Sequence, residues 1–444
     1  MGKTKEAKKD LVAVVKMHPN DADAQKKLKA CKTAIQQERL SNALGYGSLH
    51  KYIFISYSLT YALIIGDDEK SSTAIEVDKI VVDSSYTGPR LGDGESPPIT
   101  TAFIMEVMEY FKQQKVLHRK YVIQILLQAK EYFKSVSSLL NLRLPEDISG
   151  KIGHFTVCGD THGQYYDLCN IFRVGGLPSP ENPYLFNGDF VDRGSFSFET
   201  VMLLMLFKLQ NPLALYMLRG NHETKNMNKI YGFEGEVKHK YDQIVMNLFT
   251  AVFNELPLAA GTHSLTHSPT HSPTHSSTHS PTHSPTHSPT AVIQDSVFVV
   301  HGGLSTDSGA MTLEAINSIQ RGREPPESGL MSDLLWSDPQ QFPGRLPSKR
   351  GVGYSFGPDY TKNFLDQNNL KLLVRSHEVK QEGYVVEHDG KCITIFSAPN
   401  YCDQMGNKGA FIRFYENMEP TFTQFDAVPH PNVPPMQYAS SMLY

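Results

Sequence analysis

The chain is 444 residues long, which exceeds the ~250–300 residues at which one hydrophobic core stops growing, so we predict one large domain with appendages. It carries 42 Lys and Arg against 46 Asp and Glu, a formal charge of −4, and this balance argues against nucleic-acid binding as its main activity. Five cysteines without CxxC spacing and the absence of a signal peptide predict reduced thiols in a cytoplasmic and nuclear protein.

Residues 1–40 are predicted to form two helices, and Asn20 or Asp21 is suited to be the N-cap of the second. This pattern resembles the end of a tetratricopeptide array. Each such repeat takes about 34 residues, and at least ~3 repeats are needed to bury a continuous core. We therefore predict a truncated repeat remnant that cannot stand as a domain by itself.

Residues 41–84 are predicted to be a linker with an apolar insertion at 45–65. The apolar part, 52–65, is interrupted by Ser and Thr and is shorter than the ~20 residues of a membrane-spanning helix. Its alternating aromatic and β-branched residues favour an extended segment. We expect no membrane anchor.

A catalytic domain is predicted over 85–430. It begins with two helices at 102–114 and 118–140, and two more are predicted at 199–210 and 241–256. All four stretches carry apolar residues at helical spacing. We expect these helices to pack against a central sheet structure.

Six short polar segments in this domain each follow an apolar run that predicts a buried strand. In chain order they are GDTHGQ, NGDFVDRG, RGNHE, HGGL, RSHE and SAPNYCD. Polar groups at the carboxyl ends of neighbouring strands converge on one rim of a sheet, where ligand sites of α/β proteins are built. We therefore expect the six segments to form one site.

Five of these segments supply groups that bind metal ions. The candidate ligands are Asp160, His162, Asp189, Asn221, His301 and His377. Three imidazoles, two carboxylates and one amide oxygen suit Mn, Fe, Zn or Mg without any thiolate. Two such ions ~3.5–4 Å apart can clamp a phosphoryl group and lower the pKa of a bridging water. The set predicts a phosphoesterase with two divalent metal ions, bridged by Asp189.

Further side chains complete a mechanism. His222 can protonate the departing alkoxide as general acid, with Asp192 holding its tautomer. Arg193 and Arg350 can hold phosphate oxygens through a planar guanidinium fork. Tyr401 can add a hydrogen bond in the cleft. The neighbouring Arg219 and Glu223 are interpreted as structural hydrogen-bonding groups.

Residues 260–290 contain a repeat of Thr, His, Ser and usually Pro every four residues. This insertion has almost no bulky apolar residue, so it is predicted to be disordered. It enters the sequence just before His301. Because each doubling of loop length costs only ~0.6 kcal/mol, we expect the site to survive, unless the strand before His301 is pulled out of register. Residues 431–444 are predicted to form a proline-broken tail.

The segments above, together with LLWSDPQ, KRGVGYSFGPD, SHEVKQEGY and VPHPNVPPM, resemble the metal-dependent serine/threonine protein phosphatases. The resemblance covers about residue 85 to near the C-terminus. It implies an α/β fold, a calcineurin-like metallophosphoesterase β-sandwich flanked by helices, preceded by the all-α tetratricopeptide remnant. The implied roles are Asp160, His162 and Asp189 at one metal, Asp189, Asn221, His301 and His377 at the other, His222 with Asp192 as acid pair, and Arg193, Asn221, Arg350 and Tyr401 at the phosphate.

The resemblance implies a phosphatase that hydrolyses phosphoserine and phosphothreonine in proteins by in-line attack of a hydroxide bridging two metals. Two alternatives remain open: a metallophosphodiesterase acting on small diesters with the same metal set, and a noncatalytic scaffold. We expect phosphoprotein substrates, with neither nucleic acid nor membrane as partner. Intact repeats in the family bind the ninety-kilodalton heat-shock chaperone and restrain the active site. A truncated array predicts that both roles are weakened.

Overall fold

The computed structural model describes residues 12, 14–16, 25, 27–28, 77–92, 97–146, 152–261, 296–305 and 311–433. The insertion at 45–65 and nearly all of the segments 1–40, 260–290 and 431–444 lie outside the described residues, so their predicted structures are not tested. Among the residues that are described, no helix is long and apolar enough to cross a membrane.

Two sheets form the centre of the molecule, and a small third sheet lies beside them. The first sheet has the order β1-β5-β6-β10-β12-β11, the second β14-β13-β2-β3-β4 and the third β7-β9-β8. The strands are β1 (Leu139–Asn141), β2 (Phe155–Cys158), β3 (Tyr184–Phe186), β4 (Leu215–Met217), β5 (Ala259–Gly261), β6 (Val297–Val300), β7 (Asp338–Pro339), β8 (Arg345–Pro347), β9 (Tyr354–Phe356), β10 (Leu372–Arg375), β11 (Tyr384–Glu387), β12 (Cys392–Ile395), β13 (Gly409–Phe414) and β14 (Pro420–Phe425).

The strands bury both of their faces, which explains why their sequences are continuous apolar runs. In β6, Val297 and Val299 point into the core between the two large sheets, whereas Phe298 and Val300 point outward into a second core. β2 repeats this alternation, with Val157 in the core between the sheets and Cys158 in a third core. The predicted β-sandwich with helices on its flanks is confirmed.

Helices cover both outer faces of the sandwich. They are α1 (Thr101–Lys112), α2 (Arg119–Ser135), α3 (Tyr165–Gly175), α4 (Ser197–Gln210), α5 (Lys225–Tyr231), α6 (Phe233–Lys240), α7 (Gln243–Glu255), α8 (Leu313–Asn317), α9 (Leu330–Trp336) and α10 (Pro358–Gln367). Buried residues of α1–α4, α6 and α7 share one core with the outer face of the second sheet. Buried residues of α5 and α8–α10 share another core with the outer face of the first sheet.

The four predicted helices are present, with one boundary wrong. The helix predicted over 118–140 ends at Ser135, and Leu139–Asn141 forms β1 instead. β1 pairs in parallel with β5, Leu139 opposite Ala259. The partner strand is far away in the sequence, so the apolar periodicity of the preceding helix could not reveal this strand.

The strand that precedes His301 is paired on both of its sides. β6 pairs antiparallel with β5, Ala259 opposite Val300, and in parallel with β10, Val297 opposite Leu372. Residues 262–295 are therefore inserted in the sequence between two paired strands. The register before His301 is fixed by β10 as well as by β5.

Lys208 of α4 carries a buried amino group. It is 2% exposed, its Nζ lies 4.2 Å from the ring centre of Tyr216 and 4.8 Å from that of Tyr132, and it donates to the carbonyl of Pro212 at 2.7 Å. Burial lowers the pKa of Lys208 to about 7. The folded protein therefore disfavours the charged form of this side chain.

Replacing Lys208 with Met is expected to stabilise the protein, and to do so more at pH 6.5 than at pH 9.5. An unfolded Lys titrates near ~10.4, so the buried charge costs free energy fully below the folded pKa of about 7 and not at all above the unfolded value. The gain in unfolding free energy should differ between the two pH values by on the order of 2 kcal/mol. Urea unfolding of both proteins measures it, and a gain that does not change with pH would contradict this reading.

Candidate metal centre

The carboxyl ends of six strands meet at one rim of the sandwich. Asp160, after β2, forms a parallel bridge with Phe396, after β12, so the two large sheets touch at this point. The backbone N–H of Gly159 donates to the hydroxyl of Ser397 at 2.8 Å. The Asn187 side chain, after β3, donates to the carbonyl of Val300 at 2.9 Å. The strand-to-loop turns predicted from the six segments therefore lie together, as expected.

Four of the predicted ligands form one group of donor atoms. The Nε2 atom of His301 lies 2.9 Å from Oδ1 of Asn221, 3.2 Å from Nδ1 of His377 and 3.3 Å from Oδ2 of Asp189. All four side chains are buried. Asp189, His301 and His377 each offer an atom within a distance that one metal ion can bridge.

The remaining predicted ligands lie on the other side of Asp189. The Nε2 atom of His162 is 3.5 Å from Oδ2 of Asp189 and 3.7 Å from Oδ2 of Asp160. Oδ1 of Asp160 accepts the backbone N–H of His377 at 3.1 Å, which ties this carboxylate to the first group. Asp189 is thus the carboxylate shared by both groups, in the position predicted for a bridging ligand.

The ring nitrogens of His162 and His301 that face the cluster carry no proton, so they cannot donate hydrogen bonds to the neighbouring side chains and are suited to bind a cation. Nδ1 of His301 donates to the carbonyl of Asn187 at 2.8 Å, and Nδ1 of His162 donates to the carbonyl of Val191 at 2.9 Å. Burial lowers the pKa of both imidazoles, so each is neutral and its Nε2 carries a lone pair. These lone pairs point at carboxylate and amide oxygens. A divalent ion satisfies such converging acceptors.

Two further observations agree with a metal site. Nδ1 of His377 faces Nε2 of His301 at 3.2 Å, and this Nε2 cannot donate because His301 carries its proton on Nδ1, so a cation between the two nitrogens would satisfy both. Burial raises the pKa of Asp160 and of Asp189 to about 8 each, and the negative charge of Asp189 adds to the rise at Asp160. Nearby positive charge is what returns such carboxyls to their ionised form. The donor set therefore fits the two predicted divalent metal ions.

His222 and Asp192 form a buried pair next to this cluster. Nδ1 of His222 lies 2.8 Å from Oδ2 of Asp192, so Nε2 is the ring nitrogen available to a leaving group. Asn228 donates to both residues, to Oδ2 of Asp192 at 3.2 Å and to the His222 carbonyl at 2.7 Å. Burial lowers the pKa of His222, helped by Arg193, and raises that of Asp192 to about 7. The His222 ring centre is 4.7 Å from that of His162.

The three predicted phosphate-contacting side chains outside the ligand set are positioned by separate contacts. The Arg193 guanidinium lies over the ring of Tyr231 at 3.8 Å. Arg350 pairs with Asp338, with 2.7 Å between Nε and Oδ2. The Tyr401 ring centre is 5.2 Å from that of His162, and burial raises the pKa of its hydroxyl well above the usual value, so it stays protonated and can donate.

Several of these residues have a left-handed backbone, which is uncommon for residues other than glycine. The φ angles are 38° at His162, 51° at Asp189, 70° at Asp192, 71° at Arg193 and 70° at His377. Such strain clusters at functional sites and persists where surrounding contacts enforce it. The Glu223 carboxylate provides such contacts, since it accepts the backbone N–H of Asp189 and that of Phe190 at 2.8 Å each.

Some residues that shape the site were not identified from the sequence. Asn187 sets the tautomer of His301 through its carbonyl, and its signal was a polar residue closing the apolar run of β3. Asn228, in α5, donates hydrogen bonds to both His222 and Asp192, and nothing in its local sequence indicates this role. Asp338 occurs in LLWSDPQ, a segment that contributed only to the family resemblance. Trp336 is 8% exposed, with its ring centre 5.7 Å from that of His377.

The chain matches two protein-family models and several proteins of known name. A family model described as calcineurin-like phosphoesterase matches residues 153–381, and one described as the PPP5 TPR repeat region matches residues 56–141. The chain is 46% identical to human serine/threonine-protein phosphatase 5, covering 100% of this chain and 77% of that protein. It is 45% identical to serine/threonine-protein phosphatase T of Trypanosoma brucei brucei, covering 99% and 81% respectively.

A solved structure agrees with these matches. It is a protein serine/threonine phosphatase from Saccharomyces cerevisiae, described as similar to human phosphatase PP5, with 39% identity and a TM-score of 0.66. The match covers 76% of this chain and 100% of the yeast chain. Residues 153–381 hold all of the predicted metal ligands, the His222 and Asp192 pair, and both arginines. Tyr401 lies beyond that range.

Proposed function

This chain belongs to the calcineurin-like phosphoesterases and, within them, to the family of serine/threonine-protein phosphatase 5, and on that basis we propose that it removes phosphate from phosphoserine and phosphothreonine in proteins. The observation that carries the proposal is the position of Asp189. Its carboxylate lies between two groups of metal-binding atoms. His222 and the two arginines lie around them.

The proposed metal ligands divide between two sites that share one carboxylate. Asp189 with Asp160 and His162 would hold one divalent ion, and Asp189 with Asn221, His301 and His377 would hold the other. Mn, Fe, Zn and Mg are the candidates. Bound there, the two ions supply positive charge for phosphoryl oxygens and activate water as a nucleophile.

The chain's own groups bind and orient the phosphate. The guanidinium of Arg193 can offer two parallel N–H donors to phosphate oxygens, and that of Arg350 offers the N–H groups of Nη1, because its Nε and Nη2 bind Asp338 and the His377 carbonyl. The Tyr401 hydroxyl, protonated at neutral pH, adds a neutral donor. Because three donors surround the substrate, its bridging oxygen can be aligned with the attacking water, which lowers the entropic part of the barrier.

Proton transfer to the leaving group is assigned to His222. Nε2 of His222 gives its proton to the seryl or threonyl oxygen as the bond to phosphorus breaks. Asp192, 2.8 Å from Nδ1, fixes the tautomer and stabilises the imidazolium before transfer. Burial and the Arg193 charge lower the pKa of His222 and so disfavour its imidazolium, whereas the adjacent Asp192 carboxylate favours it, so Asp192 is needed to keep a proton on Nε2 for the leaving group.

Two other functions would use part of the same geometry. A metallophosphodiesterase needs the same donor groups, but a diester carries one less charged oxygen, so two arginines and a tyrosine favour a monoester dianion. A scaffold would need no aligned acid pair.

The match of residues 56–141 to a tetratricopeptide-region model supports an additional role in protein binding. Phosphoprotein substrates and a cytoplasmic and nuclear location are proposed on the chemistry and composition given above.

A substrate comparison tests the proposal. The full chain, supplied with Mn²⁺, is assayed on a phosphothreonine peptide and on bis(4-nitrophenyl) phosphate, with chelator-treated enzyme as control. We expect kcat/KM for the peptide to exceed that for the diester by at least ~100-fold, since the diester lacks one phosphate contact worth about 1.5–3 kcal/mol and its bulk adds to the loss. Comparable rates on both would favour the diesterase. No turnover by protein that retains bound metal would favour the scaffold.

A further inference from the structure

Arg350 owes its position to a carboxylate that is outside the predicted site. Its Nε lies 2.7 Å from Oδ2 of Asp338, and its Nη2 lies 3.3 Å from Oδ1 of the same carboxylate. The same Nη2 donates to the carbonyl of His377 at 3.3 Å. These contacts occupy one edge of the guanidinium and leave the N–H groups of Nη1 for a phosphate.

The carboxylate of Asp338 is itself held by a second arginine. Oδ1 of Asp338 accepts from Nη2 of Arg375 at 2.8 Å. Arg375 is 0% exposed, and its other donors bind the carbonyl of Gly302 at 2.6 Å, the Glu378 carboxylate at 2.8 Å and the carbonyl of Ser337 at 3.2 Å. Arg375 thus fixes Asp338 relative to the turns that follow β6 and β10.

Those two turns carry metal ligands. Gly302 follows His301, and Glu378 follows His377. One buried guanidinium therefore connects the backbone carbonyl that follows His301 and the side chain that follows His377 with the carboxylate that holds a phosphate-binding arginine. A free arginine side chain has many rotamers, and its fork binds an anion well only when its orientation is set beforehand.

We infer that Asp338 is a positioning residue for phosphate binding, which acts by orienting Arg350 and is itself anchored by Arg375. The inference rests on the proposed function, because it assumes that Arg350 contacts the substrate phosphate. It does not extend to Arg193, which lies over the ring of Tyr231 at 3.8 Å and donates its backbone N–H to the Tyr231 carbonyl at 3.1 Å. The two arginines are positioned by different means.

This difference allows a double-mutant test with inorganic phosphate as the probe. Asp338→Asn is made in the full-length wild type, in Arg350→Ala and in Arg193→Ala, and the inhibition constant for inorganic phosphate is measured with each. We expect Asp338→Asn to raise this constant by about 10-fold in the wild type and in Arg193→Ala, because hydrogen bonds to charged groups have that strength. In Arg350→Ala the further change should stay below about 2-fold.

The control variant is Asp359→Asn. Asp359 lies in α10, and its carboxylate accepts the backbone N–H of Gly344 at 2.9 Å, close to the third sheet. Asp338 belongs to the same sheet through β7, so the two carboxylates have similar surroundings. It should leave the inhibition constant unchanged. Metal content and thermal unfolding of every variant are recorded. If Asp338→Asn does not fold, Asp338→Glu replaces it, since it keeps a negative charge near Arg375 and shifts the carboxylate by one methylene.

An equal effect of Asp338→Asn in all three backgrounds would overturn the inference, because the carboxylate would then act through the general structure of the site. A loss of bound metal that accounts for the weaker phosphate binding would overturn it as well. Failure of the proposed function looks different: the wild type itself would neither bind inorganic phosphate nor hydrolyse a phosphothreonine peptide.

Discussion

Replacing Asp189 with Asn should lower kcat on a phosphothreonine peptide by at least ~10³-fold, because the charge stabilisation supplied by two ions is worth several kcal/mol. Oδ2 of Asp189 is 3.5 Å from Nε2 of His162 and 3.3 Å from Nε2 of His301, so it belongs to both donor groups. Asn preserves the shape but removes the charge. It also presents an N–H to nitrogen lone pairs where a cation is expected.

Metal content distinguishes this role from simple loss of folding. Elemental mass spectrometry should find less than two ions per Asp189→Asn molecule, while its thermal unfolding in the presence of chelator should match that of chelated wild type. Asp366→Asn, an exposed carboxylate of α10 that pairs with Lys362, serves as the control and should keep both metal and rate. If the variant retains two ions and its turnover is within tenfold of wild type, Asp189 does not bridge the two metal ions.

The sequence predicted the strands and the site rim because their signals are local. Each of β2, β3, β4, β6, β10 and β12 is an apolar run that ends directly at a polar segment, so the strand and its functional residues are neighbours in the chain. The β-sandwich itself came from a family resemblance. The alternation of Val297 and Phe298 between two cores shows why those runs lack polar positions.

What escaped prediction depends on contacts between distant segments. The end of α2 and the formation of β1 depend on pairing with β5, and the apolar spacing around Leu139 is compatible with either structure. Arg375 lies in the RSHE segment, yet its bond to Asp338 joins the end of β10 to β7, and no periodicity in the sequence relates these two strands of different sheets. The left-handed backbone of Asp189 is likewise enforced from outside, by Glu223. Long-range hydrogen bonds leave no local pattern.

Replacing His222 with Asn should lower kcat on a phosphothreonine peptide by ~10²–10⁴-fold, the usual contribution of general acid catalysis, while both metal ions stay bound. The decisive comparison is with 4-nitrophenyl phosphate, whose leaving group is a stable anion that needs little protonation. The loss on this ester should be at least about tenfold smaller than on the peptide.

The comparison matters because His222 could act in a second way. It lies in a group of potential ligands with His162 and Asp189, whereas its Nδ1 is bound to Asp192 at 2.8 Å. A metal ligand and a proton donor differ in what their removal does: loss of a ligand releases metal and slows both substrates equally. Asp192→Asn is the matched variant, since it leaves His222 in place but disturbs its tautomer, and it should show the same dependence on leaving group with a smaller loss. Equal losses of kcat on both esters, accompanied by release of metal, would show that His222 is a metal ligand and not the proton donor.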